Sequence, residues 1–122
     1  MLSVGQFGTW GFIIDETFVD VLRGKDKNMF IWCYAKSFVE RLNLHGLYTD
    51  MFISEVGEAY YHGFLKVTQE EVTESNNVFG EIVGSNINKT NEEIYDILKT
   101  EYFRFGKSNQ IGKYNSYRIY YR

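Results

Sequence analysis

Two histidines, one cysteine and scattered carboxylates are the residues of this 122-residue chain with ordinary catalytic chemistry. His62 comes near Glu55 and Glu58 if the residues around it form a hairpin, and an imidazole–carboxylate pair can move a proton. Polar pairing on a hairpin surface is the plainer reading. His45 follows an apolar-periodic stretch, where a protonated ring would complement a helix C-terminus. Cys33 sits in the apolar run 29–34. A nucleophilic thiol needs exposure and a base, so here it reads as a small buried hydrophobe. One cysteine and two distant histidines have no metal-ligand spacing. Glu70, Glu71 and Glu74 read as the solvated first turn of a helix, and the serines fit no nucleophile elbow. Gly5, Gly8 and Gly11 lack the Gly-Lys-Ser/Thr of a phosphate loop. The expectation is a protein that is not an enzyme and uses no metal or cofactor.

The other chemistry is cationic and aromatic. Arg104, Lys107, Lys113, Arg118 and Arg122 stand against Glu101 alone in residues 101–122, a net of +4, which leaves −7 in residues 1–100 of a chain whose total is −3. Ten Phe, ten Tyr and two Trp are more rings than a core of this size can hold, so several Tyr belong on the surface, where an apolar ring with a polar tip suits binding. Basic groups beside exposed rings can neutralise phosphate and stack bases. The candidate nucleic-acid-binding residues are Arg104, Lys107, Lys113, Tyr114, Arg118, Tyr120 and Arg122.

These residues need elements to hold them. Residues 114–122 alternate, with Tyr117, Ile119 and Tyr121 on one side and Ser116, Arg118, Tyr120 and Arg122 on the other. Arg104 lies between Phe103 and Phe105 in the same way. The pattern predicts a C-terminal β-hairpin of strands 101–105 and 114–122 around a polar loop, with the cations on its outer face. Thr90-Asn-Glu-Glu93 is a capping box opening a helix with Ile94, Ile97 and Leu98 on one face, and Thr68-Gln-Glu-Glu71 opens another, reaching Gly84. Asn76-Asn77 leaves open a turn between two strands instead. Residues 50–67 read as a hairpin around Gly57-Glu58, with a bulge at Gly63. Asn28 can cap a helix over 29–44 stopped by Gly46, although 29–34 also fits a buried strand. Asp15 can cap a helix over 16–23, and residues 1–14 read as one or two short strands. The whole is one α+β domain, 1–122, of three to four helices packed on an antiparallel sheet. This length buries roughly two-thirds of the unfolded chain's surface without a staple. A lone cysteine fits a reducing compartment, and with neither a signal peptide nor a membrane span in view the expected location is cytoplasmic.

The order helix, connector, helix, strand, polar loop, strand over residues 68–122 resembles a winged helix-turn-helix. The resemblance implies a recognition helix at 88–99 and a wing at 106–113 touching the DNA backbone. Glu92, Glu93 and Asp96 on that helix depart from the pattern, as does a long polar connector. A small acidic chain rich in Tyr and Asn also resembles, in composition, accessory proteins of phages and other mobile elements. The expected partner is a nucleic acid or a host protein that handles one. The alternative is an inhibitor of a host defence nuclease, of anti-CRISPR or anti-restriction type, acting through the acidic body.

Overall fold

The computed structural model describes Val4–Gln6, Phe12–Ile14 and residues 28–122. The first two segments are strands β1 (Val4–Gln6) and β2 (Phe12–Ile14), paired antiparallel with Val4 opposite Ile14, in keeping with the short strands expected there. The helix expected over 16–23 lies outside the described residues. From Met29 the order is β3 (Met29–Phe30), α1 (Ala35–Arg41), β4 (Leu47–Thr49), α2 (Val56–Tyr61), α3 (Gln69–Ser85), α4 (Asn91–Ile97), α5 (Gln110–Ser116) and β5 (Ile119–Tyr121). Helix α4 runs on through a π-helical stretch, Leu98–Tyr102, into a last α-turn, Phe103–Phe105.

The fold is α+β, with a mixed sheet in the order β3–β4–β5. Strands β3 and β4 are parallel, joined by a crossover through α1, and β4 and β5 are antiparallel. Successive strand residues point to opposite faces. Phe30, Tyr48 and Tyr120 therefore pack with Phe38 and Val39 of α1. Met29, Leu47 and Ile119 face the other way, onto Phe79 and Ile82 of α3 and Ile94 and Leu98 of α4. With both faces covered, all three residues of β4 are buried. A third cluster, Ile53, Ala59, Val67, Val72 and Ile111, ties α2, α3 and α5 together.

The two Thr N-caps form as the sequence indicates. Thr68 Oγ1 accepts from the Glu71 N–H and Thr90 Oγ1 from the Glu93 N–H, each at 3.2 Å. Helix α3 passes through Asn76-Asn77 without a turn. Other expectations need correction. No C-terminal hairpin forms, because residues 101–105 continue α4. Nothing between Thr90 and Gly106 breaks a helix, and Ile94, Leu98, Tyr102 and Phe105 pack in one cluster, so helical period overrides the two-residue alternation. Residues 106–113, where the winged-helix resemblance implies a wing, are a turn followed by the first half of α5. Nor is 50–67 a hairpin. The Glu58 carboxylate accepts from the Ser54 N–H and hydroxyl at 3.2 and 3.3 Å, so 56–61 coils into α2.

Gly63 ends α2 rather than bulging a strand. Its φ of 90° is left-handed, and bonds from Phe64 N to Ala59 O and from Gly63 N to Tyr60 O close a Schellman motif. Asn43, at φ 51°, closes the same motif after α1, so the stop is there and not at Gly46. Met29–Phe30 is a strand, which leaves the helix expected over 29–44 confined to Ala35–Arg41.

One buried polar chain crosses the centre. Asn115 Nδ2 donates to Ile53 O and Asn115 Oδ1 accepts from Ile53 N, both at 2.8 Å. Asn115 Nδ2 also reaches Tyr102 Oη at 3.4 Å, and Tyr102 Oη lies 2.6 Å from Ser75 Oγ. Burial raises the Tyr102 pKa, with the bonds from Ser75 and Asn115 opposing the shift, so its hydroxyl is neutral at physiological pH. Asn115→Ala strands two buried backbone groups at Ile53. Urea denaturation should show a loss of about 2–5 kcal/mol of stability, and a loss under about 0.5 kcal/mol would contradict this role.

Candidate functional site

Helix α5 is the element that organises the surface cations, and three features fix it. Asn109 caps it, its Oδ1 accepting from Ile111 N at 3.0 Å and Gly112 N at 2.9 Å while its Nδ2 donates to Glu71 O of α3 at 3.0 Å. Gly106 and Gly112 let the end of the α4 rod cross α5 at backbone contact. A Cβ on Gly106 would lie 2.7 Å from Lys113 Cα and N, and one on Gly112 would lie 2.6 Å from the Phe105 ring. At the other end, Lys99 Nζ donates to Ser116 O at 2.9 Å. A cation suits helix C-terminal carbonyls, and desolvation there lowers the Lys99 pKa.

This packing buries Ile111, Gly112, Asn115 and Ser116 and leaves Gln110, Lys113 and Tyr117 outward. Two hollows meet along that outer face. One, of about 260 Å³, is lined by Phe103, Gly106, Lys107, Lys113 and Tyr117. The other is a groove of about 450 Å³ lined by Phe64, Gln110, Lys113, Tyr114, Tyr117 and Arg118. Lys113 and Tyr117 belong to both. Tyr117 is 55% exposed and meets Phe103 edge-on at 5.6 Å. The Arg118 guanidinium lies 3.4 Å over the Tyr114 ring, and its Nη1 donates to Tyr114 O at 2.8 Å. Phe64 packs edge-on against the other side of the cluster, its centroid 5.5 Å from that of Tyr114.

Of the residues singled out from the sequence, Lys107, Lys113, Tyr114 and Arg118 converge here. Arg104 is exposed on the last turn of the α4 rod, beyond both linings. Tyr120 and Arg122 are elsewhere. The Tyr120 ring stacks on Tyr48 at 5.5 Å under Lys36 Nζ, and Arg122 Nη2 donates to Asn43 Oδ1 at 3.1 Å. The cations are therefore not one row on a ribbon. Phe64, Phe103, Gln110 and Tyr117 were missed. The alternation puts Tyr117 on the inner side of a strand, but that strand begins only at Ile119. The legible signal was the i, i+3, i+7 spacing of Gln110, Lys113 and Tyr117 behind an Asn cap.

The catalytic candidates do not assemble. His62 Nδ1 stands 3.5 Å from Tyr114 Oη, and its ring lies against Tyr61 and Tyr114 rather than a carboxylate. His45 is exposed between α1 and β4, not at a helix end. Cys33 is half-buried with Sγ 3.7 Å from Phe52 O. Burial first, then the negative charges of Glu58 and Asp50, raise its pKa. Among the described residues no group of three or more His, Cys, Asp or Glu is placed to hold a metal ion, and no helix is long and apolar enough to cross a membrane. Comparison with protein-family models, with curated proteins and with solved structures gives no match.

Gly106→Ala drives a methyl into the Lys113 backbone and should cost about 1–3 kcal/mol in a denaturant titration; an unchanged midpoint would mean the helices do not cross this closely. Because the raised pKa leaves less thiolate at pH 8, Cys33 should alkylate with iodoacetamide more slowly than a free cysteine. Its rate should reach half its limit only at a pH above that of a free cysteine. Fast labelling with a midpoint under about 8 would identify an activated thiol instead.

Proposed function

We propose that the protein is a non-enzymatic binding protein whose corner between the α4 rod and α5 holds the sugar–phosphate backbone of a nucleic acid. The observation that carries this reading is the contiguity of Lys107, Lys113 and Arg118 with the rings of Phe103, Tyr114 and Tyr117. Cations within reach of one another release counterions from a polyanion together, and rings beside them add stacking. On this reading the contacting helix is α5. Helix α4 of the winged-helix resemblance is unsuited, since it exposes Glu92, Glu93 and Asp96. A role in the cytoplasm, as an accessory protein of a phage or other mobile element, accords with this small binding module.

A second reading is supported by a different surface. Glu70, Glu74 and Glu81 of α3 are all exposed, and spacings of four and seven residues put them on one stripe. Such a stripe imitates phosphate charge, which would suit an inhibitor seated in the nucleic-acid channel of a host defence nuclease.

Salt titration of binding separates the two. A mixed-sequence oligonucleotide should be retained at roughly 50 mM salt and lost steeply by about 200 mM. Lys107→Ala with Lys113→Ala should flatten the log–log salt slope by about two, while Arg122→Ala leaves it unchanged. No retention at low salt, or a slope indifferent to the lysines, rules out direct binding here and leaves the acidic stripe as the functional surface.

A further inference from the structure

The geometry points to single-stranded nucleic acid as the ligand of this corner. A phosphate would lie between Lys107 and Lys113, and an unstacked base would enter the adjoining groove between Phe64, Tyr114 and Tyr117. This inference rests on the nucleic-acid reading above and adds which form of the polymer is bound and through which parts.

The two hollows differ in character along the line that divides a nucleotide. One is lined by two lysines, Lys107 and Lys113. The other is an open groove of about 450 Å³ lined by Phe64, Tyr114 and Tyr117, with Arg118 covering one face of the Tyr114 ring. Lys113 and Tyr117, one helical turn apart, form the ridge they share, so a ligand crossing that ridge passes from cations to ring faces. A nucleotide of a flexible strand has the same succession, a charged phosphate joined through a sugar to a flat π-surface. A duplex does not, because its bases stack on one another and show only their edges in the grooves.

Two further observations favour a short, flexible ligand. Arg118 is held flat on Tyr114 by its own hydrogen bond to Tyr114 O. The groove wall is therefore ordered before binding, and little side-chain freedom is lost when a ligand arrives. The corner is also bordered by carboxylate. Glu71 Oε2 accepts from Gln110 Nε2 at 3.2 Å. That charge disfavours a long phosphodiester track across this edge and favours contact with a few nucleotides.

Fluorescence anisotropy on the full chain tests this with four labelled probes of equal length, about twelve nucleotides: oligo-dT, oligo-rU, an abasic single strand and a DNA duplex. At one low salt concentration oligo-dT or oligo-rU should bind on the order of ten-fold tighter than the abasic strand and the duplex. A preference between dT and rU tells whether the sugar 2′-hydroxyl is also read, and either preference supports the inference. Tyr117→Ala should bring the base-bearing strand down to the abasic level without changing the salt slope, and Tyr117→Phe should restore it. Tyr117 is mostly exposed, so both variants should keep the parent circular dichroism. If the abasic strand and the duplex bind as tightly as oligo-dT, the base groove is wrong while phosphate binding at this corner stands. If no probe binds at low salt, both readings fall.

Discussion

The Asn115 side chain and the Ile53 backbone, 62 residues apart in sequence, pair through two hydrogen bonds of 2.8 Å. An amide side chain here does what a neighbouring strand would do, satisfying both polar groups of one buried residue. The loop that carries Ile53 has no ladder of its own, so without Asn115 its N–H and C=O would be buried with no partner, at a cost of roughly 1–3 kcal/mol each. The same amide reaches Tyr102, and through it Ser75, so α3, the α4 rod, α5 and the 50–55 loop share one polar chain inside the apolar core.

That chain decides where the surface cations stand. With Asn115 turned inward, α5 has a fixed rotation, and Lys113 and Tyr117 must face out. The Gly106–Gly112 crossing then sets how near the turn that carries Lys107 comes to Lys113. Lys107 and Lys113 line one hollow with no carboxylate in that lining. The pair is thus suited to an anion from outside, and the surrounding rings suit whatever flat group that anion carries.

The long helices were legible because each begins with a Thr cap three residues before a Glu and keeps an apolar face. Shorter elements were not, because their residues favour another state. Helix α2 contains Val56, Gly57, Tyr60 and Tyr61, and α5 contains Gly112, Tyr114 and Asn115, all weak helix formers. Tertiary contacts hold them: Ala59 and Ile111 in one apolar cluster, Asn109 on α3, Asn115 on Ile53. The alternation at 101–105 and 114–122 was real in sequence but accidental. In the first stretch the π-helical segment Leu98–Tyr102 lets Tyr102 and Phe105 both reach the core; in the second, only Ile119–Tyr121 is strand. Half of the candidate site could still be named from sequence, since cations and rings clustered within 22 residues. Phe64 could not, because a contact between Phe64 and Tyr114 exists only in the folded chain.

The most direct measurement is a two-dimensional ¹H–¹⁵N NMR titration of the full chain with an oligo-dT strand. The account predicts that shifts concentrate at Phe64, Lys107, Lys113, Tyr117 and Arg118, the residues around the two joined hollows. Shifts confined to the sheet residues Tyr120 and Arg122, or to the acidic stripe of α3, would contradict it.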